Sequence, residues 1–249
     1  NSNYLEGKSP FRSLVKVGYP GDYAINFMKN KPEDAIQKLK NNGYKIIAVY
    51  DNVAGLDHLI TNTQLHNFYK GVLNLLKEGS FACVIKNKNI TTLSRYIDKN
   101  LVDDILSYSD KVIINTETAN LSPAFKSDFV YALNLSSLGS VASIWGKKTI
   151  FYDESSFIDK NRISDNSHII TNYEELIPSL KALDKDSCLI DKNSYIDPFV
   201  DGNAQNRITE YIQSLLSSTE KTKSRMIRES NIIYKRRYGN DKVLEKEGL

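Results

Sequence analysis

Short apolar runs rich in β-branched and aromatic residues alternate along the chain with longer amphipathic stretches. This alternation is typical of a parallel β-sheet covered by helices, rather than of a β-sandwich or a helical bundle. We therefore predict an α/β fold with a parallel sheet of about six strands and helices on both faces. The candidate strands are residues 14–17, 45–50, 81–85, 111–115, 129–133 and 148–152, with 168–170 as a shorter last candidate.

The clearest helical pattern follows the second candidate strand. Its apolar positions recur at the spacing of one helix face, after the cap candidates Thr61, Asn62 and Thr63. The stripe consists of Leu65, Phe68, Tyr69, Val72, Leu73 and Leu76.

Composition narrows the class of protein. The chain has 249 residues, 41% of them hydrophobic and 25% charged. This length and hydrophobic content are enough to form a core that needs no metal or disulfide to stabilise it. Cys83 and Cys188 lie far apart, and His58 and His66 do not form a metal-ligand set, so we expect no structural metal and a reducing, cytoplasmic setting. No apolar run approaches the roughly 20 residues of a membrane span, and no secretory leader is apparent.

Charge is concentrated near the C-terminus. Residues 220–238 contain seven basic and two acidic side chains, an excess of five positive charges, whereas the whole chain carries only +3. We therefore divide the chain into a domain of residues 1–219 and a basic helical tail of residues 220–249. The tail is either a solvated helix or a contact with an anionic membrane surface, and nucleic acid is disfavoured because stacking aromatics and known motifs are lacking.

Ligands of parallel sheets bind beyond the carboxyl ends of the strands, so the loops there are the places to search. Gly18, Tyr19 and Asp22 lie in a tight glycine- and proline-containing turn after the first run, where a ligand could approach the backbone. The turn is neither GxGxxG nor a P-loop, which disfavours a dinucleotide oxidoreductase and a P-loop kinase. Lys86 and Lys88 follow the third run and could face a phosphate, or they could belong to an exposed turn.

A hydroxyl-rich turn follows the strand at 129–133 and leads into a short helix of small residues. Small side chains would let a phosphate reach the free N–H groups at that helix start, and close packing of the helix on the sheet is the alternative explanation. The turn comprises Ser136, Ser137, Leu138, Gly139 and Ser140. Further on, Asp201 precedes another helix and is a candidate cap, followed by Arg207.

Two stretches resemble a known family. Residues 136–153, with Gly146-Lys147 leading to Tyr152-Asp153, and residues 197–208, which read Asp-Pro-Phe-Val-Asp-Gly-Asn-Ala-Gln-Asn-Arg-Ile, are similar to the C-terminal half of bacterial surface-carbohydrate glycosyltransferases of the GT-B type. The turn at 18–23 and residues 85–88 also fit the pattern. The likeness spans about residues 14–216 and leaves the tail uncovered.

The resemblance implies a Rossmann-like domain that binds the nucleotide-sugar donor. The 136–140 turn would hold the phosphate, Lys86, Lys88 and Arg207 would offset the charge of the leaving group, and no metal or other cofactor would be needed. The partners would be a UDP-, GDP- or CMP-linked sugar and a glycan acceptor, in capsule or lipopolysaccharide synthesis.

The sequence departs from the family in two ways. Many retaining members carry a Glu in the short helix to hold the ribose, but residues 140–145 contain no carboxylate. The length also accommodates only one of the two Rossmann-like halves of a GT-B enzyme. A nucleotide-sugar epimerase and a non-catalytic binding or scaffold domain are the alternatives.

Overall fold

The computed structural model describes residues 13–30, 32–51, 60–86, 93–94, 96–114, 121–160, 163–185, 197–220 and 222–245. The chain divides into two compact units. We call residues 25–196 the central unit, and residues 1–24 together with 197–249 the terminal unit. This division differs from the expected boundary at residue 219, because the chain segments before and after the central unit pack with each other.

The central unit contains a six-stranded parallel sheet. Its strands are β2 (Lys45–Tyr50), β3 (Phe81–Lys86), β4 (Val112–Ile114), β5 (Phe129–Leu133), β6 (Lys148–Tyr152) and β7 (Ser167–Ile170), in the spatial order β4-β3-β2-β5-β6-β7. Each strand corresponds to a predicted run. The strand number and the parallel pairing confirm the predicted fold class.

Helices cover both faces of this sheet. They are α1 (Ile25–Asn30), α2 (Asp34–Asn41), α3 (Asn62–Glu78), α4 (Lys99–Ser107), α5 (Ser122–Lys126), α6 (Ser137–Ile144) and α7 (Leu176–Leu183). On β2, Ile47 and Val49 pack into one core layer with α3, α4 and α7, while Ala48 packs into another with α5 and α6. Alternate side chains of a strand point to opposite faces, so two-sided burial explains the nearly continuous apolar runs.

The long helix α3 begins where the sequence predicts. Thr61 caps it: its side chain accepts from Gln64 N, and the Gln64 side chain accepts in return from Thr61 N. Gly79 ends the helix with a φ of 93°, in the left-handed region that favours glycine. This reciprocal cap fixes the start of the helix that fills the larger core layer.

The terminal unit has its own small sheet and two helices. β1 (Ser13–Val15) pairs antiparallel with β8 (Val243–Glu245), and α8 (Ala204–Ser217) packs against α9 (Lys223–Tyr238). The expectation that the first apolar run joins the parallel sheet is wrong, since that run pairs with the far end of the chain. The basic C-terminal helix is confirmed as α9.

No helix among the described residues is long and apolar enough to cross a bilayer.

Two buried tyrosines of the larger core layer allow a direct stability test. The Tyr131 hydroxyl is buried and finds no hydrogen-bond partner among the described residues, whereas the Tyr69 hydroxyl donates to Asp51 Oδ2 at 2.6 Å. We expect Tyr131→Phe to raise the free energy of unfolding by about 1 kcal/mol, because a desolvated hydroxyl is removed and the ring keeps its stacking on Phe68.

The matched control, Tyr69→Phe, should lower the free energy of unfolding by about 1–3 kcal/mol, since it leaves a part-buried carboxylate oxygen without this donor. Urea titrations of both variants give the comparison. A Tyr131→Phe variant as destabilised as Tyr69→Phe would contradict the prediction.

Candidate functional site

The strand order of the central unit changes direction between β2 and β5, and a switch of this kind forms the ligand crevice of open α/β sheets. From β2 the chain proceeds through β3 to β4 on one side, then returns to β5 and proceeds through β6 to β7 on the other. The connections therefore diverge at the carboxyl ends of β2 and β5, which is where ligands of open α/β sheets bind. The residues that directly follow these two strands are the first candidates for a site.

Asp51 follows β2 and is partly buried. Its Oδ2 accepts the hydrogen bond from the buried Tyr69 hydroxyl at 2.6 Å. Burial raises the pKa of Asp51 to about 6, and the hydrogen bond from Tyr69 opposes that rise. At a pH near 6 this carboxyl is therefore present in both forms, of which the ionised form only accepts hydrogen bonds and the protonated form can also donate one. The sequence marks Asp51 only as a polar residue at a strand end, and its burial comes from the packing of α3.

Asn134 follows β5 in a constrained backbone conformation. Its φ of 48° is left-handed, its N–H donates to Tyr152 O, and its carbonyl accepts from Ser136 N, both at 2.8 Å. The side-chain oxygen Oδ1 is buried and has no hydrogen-bond partner among the described residues. A buried acceptor without a donor is costly and suits a ligand that brings a donor. Asn134 is not among the site residues predicted from the sequence, although an Asn directly after a buried strand is a usable signal.

Helix α6 begins at Ser137, three residues after Asn134. Ser136 is its N-cap but makes no side-chain cap hydrogen bond, and the hydroxyl of Ser140 donates to Ser136 O at 2.9 Å. Ser137 at the first helical position is exposed, and Leu138 packs partly into the smaller core layer. The N–H groups of the first turn of a helix lack partners within the helix, so they are the groups available to an anion.

Gly139 has a packing role. A Cβ at this position would lie 2.7 Å from the Cβ of Ala132 on β5 and 3.1 Å from Cε1 of Phe151 on β6. The absence of a side chain therefore lets α6 lie directly on the sheet. Gly139 packs against the sheet, and the Ser140 hydroxyl is hydrogen-bonded within the helix. Of the predicted phosphate-binding groups in this turn, the backbone N–H groups at the start of α6 therefore remain.

The other predicted site residues are divided between the units. Lys86 ends β3 in register with Tyr50 of β2, at the same sheet edge as Asp51. Lys88 lies outside the described residues. The rest of the predicted set belongs to the terminal unit: Gly18, Tyr19, Asp22, Asp201 and Arg207.

Arg207 is engaged inside the terminal unit. Its side chain is buried, with the residue only 1% exposed, and Nε donates to Val17 O at 2.8 Å. Nη1 and Nη2 donate to the two carboxylate oxygens of Asp201 at 2.8 and 2.9 Å, and the guanidinium lies 3.8 Å from the centroid of the Phe199 ring. The expectation that Arg207 offsets the charge of a leaving phosphate does not fit this geometry, because its charge is already balanced within the chain.

Two carboxylates surround Arg207: that of Asp22 is buried, whereas the side chain of Asp201 is 41% exposed. Ala204 N donates to Asp22 Oδ2 at 3.1 Å, so Asp22 caps α8 from a distant part of the sequence. Burial raises the pKa of Asp22. Asp201, a candidate cap or near-cap from the sequence, lies two residues before the N-cap Asn203, and its Oδ1 accepts from Asn203 N. Burial acts to raise the pKa of Asp201, but hydrogen bonds from Arg207 and Asn203 outweigh it, so the pKa is lowered.

The turn at Gly18 is also filled from within the chain. A Cβ at Gly18 would lie 2.9 Å from Asp197 Oδ1 and 3.0 Å from Arg207 Nη2, and its φ is 93°. The position therefore requires glycine. The space beside it is occupied by side chains of the terminal unit, so a ligand has no open access to the Gly18 backbone. Burial raises the pKa of the neighbouring Tyr19. Among the described residues, no group of three or more His, Cys, Asp or Glu side chains could hold a metal ion.

Comparison with known proteins supports the fold. No known protein-family profile matches the sequence, and no curated protein matches it significantly. Among solved structures, the chain is similar to S. aureus MnaA with UDP at a TM-score of 0.51 and 19% identity, covering 84% of this chain and 55% of that one. It is also similar to the UDP-GlcNAc 2-epimerase of Methanocaldococcus jannaschii at 0.53 and 14%, covering 79% and 55%.

These likenesses concern the fold. The chain shares with these structures a Rossmann-like α/β fold built on one parallel sheet. It spans about half the length of the structures that it matches. The wall teichoic acid polymerase TagF is more distant, with a TM-score of 0.44 and 14% identity, over 80% of this chain and 51% of that one.

The buried position of Arg207 predicts a large effect on stability. We expect Arg207→Met to lower the free energy of unfolding by about 3–5 kcal/mol, because the buried carboxylate of Asp22 loses its counter-charge and Asp201 loses two hydrogen-bond donors. The matched control is Arg237→Met in the same unit, where the pair with Glu210 is exposed and should contribute about 0–1 kcal/mol. Equal effects in denaturant titrations would contradict the structural role of Arg207.

The raised pKa of Asp51 predicts a pH dependence with a definite sign. The folded state binds a proton that the unfolded state releases near pH 4, so this group stabilises the fold at low pH. That contribution is lost as the pH rises from about 4 to about 6. Relative to Asp51→Asn, the wild type should lose up to about 3 kcal/mol of unfolding free energy across this window. Parallel pH profiles of the two proteins would contradict the assignment.

Proposed function

We propose that this chain is the nucleotide-sugar-binding half of a glycosyltransferase, which transfers a sugar from a nucleotide donor to a hydroxyl of a surface-glycan acceptor. The reaction breaks the bond between the anomeric carbon and the donor phosphate and forms a glycosidic bond to the acceptor oxygen. The acceptor proton leaves with a base, and the nucleotide departs with the electron pair. This chain would bind the nucleotide and stabilise the departing phosphate.

The observation that supports this proposal is the crevice between β2 and β5. The first turn of α6 presents backbone N–H groups at the end of β5, with about half a positive charge from the helix dipole. Beside it, the side-chain oxygen of Asn134 accepts no hydrogen bond from any residue that the structure describes. A phosphate needs the donors and the positive potential of the helix start, whereas the hydroxyls or amides of a nucleoside bring the hydrogen that Asn134 lacks. A nucleotide provides both groups in one molecule.

Two further residues complete the proposed donor site. Lys86 at the end of β3 would add positive charge at the same sheet edge. Asp51, with its pKa near 6, could pair with a ribose or base hydrogen, which would serve in place of the Glu absent from residues 140–145. In this proposal the helix start and a lysine stabilise the leaving phosphate, so that transfer is independent of a metal ion.

The place of action follows from the substrates. We propose that the enzyme works in the cytoplasm, at the inner face of the membrane, on a capsule, lipopolysaccharide or other surface glycan. The donor would be a UDP-, GDP- or CMP-linked sugar. The structure of MnaA with UDP and that of the UDP-GlcNAc 2-epimerase favour UDP as the first nucleotide to test.

A nucleotide-sugar epimerase is the second candidate, because a solved structure of similar fold is a UDP-GlcNAc 2-epimerase. The two reactions differ in whether UDP-N-acetylglucosamine takes up deuterium from deuterated water. Epimerisation at C2 introduces solvent deuterium at that carbon of the recovered sugar nucleotide, whereas glycosyl transfer releases UDP and leaves unreacted donor unlabelled. The assay is made on the full product of the gene, with mass spectrometry as the readout.

A nucleotide panel with one charge variant tests the donor site. UDP, GDP, CMP and their sugars are added to the chain, and the midpoint of thermal unfolding is followed; one nucleotide should stabilise it selectively. Ser137→Glu should stabilise α6 by about 0.3–1 kcal/mol through the helix dipole. The same change should weaken nucleotide affinity roughly tenfold or more in calorimetry, because the new carboxylate repels the phosphate.

Two controls accompany this test. Ser137→Gln occupies similar space without charge and should retain affinity. Asn134→Gly keeps the left-handed backbone, removes the unpartnered oxygen, and should weaken binding about three- to tenfold with little change in stability. Unchanged affinity in Ser137→Glu would overturn the site, and a panel without any stabilising nucleotide would favour a non-catalytic scaffold domain.

A further inference from the structure

The outer face of α9 combines exposed cations with exposed isoleucines. Arg225, Arg228, Ile232 and Arg236 follow one another at intervals of three and four residues, which places them on one side of the helix. Arg225 has a side chain 73% exposed, Ile232 and Ile233 are 43% and 47% exposed, and the other two arginines are exposed as well. Apolar and basic side chains thus lie together at the surface.

Contacts on the inner side of α9 fix this orientation. Ser230, Asn231 and Tyr234 are buried there. Tyr211 of α8 donates to Asn231 Oδ1 at 2.7 Å, and the Tyr234 hydroxyl donates to Lys16 O at 2.9 Å. These bonds prevent the helix from turning its isoleucines inward, so the exposure of the outer face is a property of the fold.

The charge of this face is only partly balanced. Arg225 lies 3.8 Å from Glu220, and Glu229 is the one acidic side chain of α9, where it accepts from the Ser218 hydroxyl. Arg228 and Arg236 form no salt bridge among the described residues. A net positive surface with protruding isoleucines remains on the outer side of the helix.

We propose that the outer face of α9 docks on an anionic lipid bilayer. The arginines would contact lipid phosphates, each contributing attraction of the order found for basic residues near charged leaflets, and Ile232 and Ile233 would enter the boundary between headgroups and acyl chains. A bilayer suits these observations because it takes up apolar side chains and charge without a matching shape. The inference is independent of the nucleotide-sugar assignment.

Vesicle flotation with the full chain tests this proposal. Vesicles contain either 30% phosphatidylglycerol in phosphatidylcholine or phosphatidylcholine alone. The chain should float with the anionic vesicles and not with the neutral ones, and raising the salt from about 0.05 M to 0.5 M should release it, because the Debye length falls well below 10 Å. Binding of equal strength to neutral vesicles would overturn the proposal.

Matched charge variants localise the surface. The triple variant R225Q/R228Q/R236Q should bind anionic vesicles about 100-fold more weakly. The control K38Q/K77Q/K99Q also removes three exposed positive charges, but from the central unit, and should bind as the wild type does. Equal losses in both triples would show a general charge effect and would overturn the docking face.

The isoleucines distinguish a bilayer from another polyanion. Ile232→Ser with Ile233→Ser should weaken vesicle binding at least tenfold while leaving retention on heparin unchanged. Wild-type retention on heparin with no vesicle flotation would instead indicate a soluble polyanionic partner and would overturn the lipid assignment. Circular dichroism of every variant must match the wild type, since Gln and Ser on an exposed helix face cost little helix stability.

Discussion

The close approach of α6 to the sheet is the constraint on which the candidate site depends. Gly139 lets the helix backbone lie against Ala132 and Phe151, where even one added carbon would lie 2.7 Å from the Cβ of Ala132. This contact fixes the helix start at the end of β5, beside the crevice between β2 and β5. Without it, the backbone donors of the first turn would not be held at the sheet edge where Asn134 and Asp51 lie.

A separate electrostatic constraint organises the terminal unit. Arg207 contacts the carbonyl of Val17 and the carboxylate of Asp22, which precede the central unit in sequence, and the carboxylate of Asp201, which follows it. A buried arginine is tolerated because three of its N–H groups donate to Val17 and Asp201, and its planar group lies over the Phe199 ring. The motif that resembles glycosyltransferases at residues 197–208 therefore has a structural explanation in this chain, and the argument for nucleotide binding rests on the central unit.

The local patterns of the sequence determined much of this structure. Two-sided burial requires continuous apolar strands, so the six strands of the sheet were predictable from the runs of apolar residues. Helix α3 with its Thr61 cap and the basic helix α9 were predictable from periodicity, capping residues and charge. The hydroxyl-rich turn before α6 was also visible. These features are determined by neighbours within a few residues, for which periodicity and capping preferences are sufficient evidence.

Tertiary structure alone decided what distant residues do together. The pairing of β1 with β8, the capping of α8 by Asp22 and the pKa of Asp51 each depend on groups far apart in sequence. Arg207 illustrates the difference: its charge was evident from the sequence, but whether that charge faces a ligand or a carboxylate depends on which segments the fold brings within 3 Å. The sequence by itself determined the elements and their order, and packing determined which polar groups remain available.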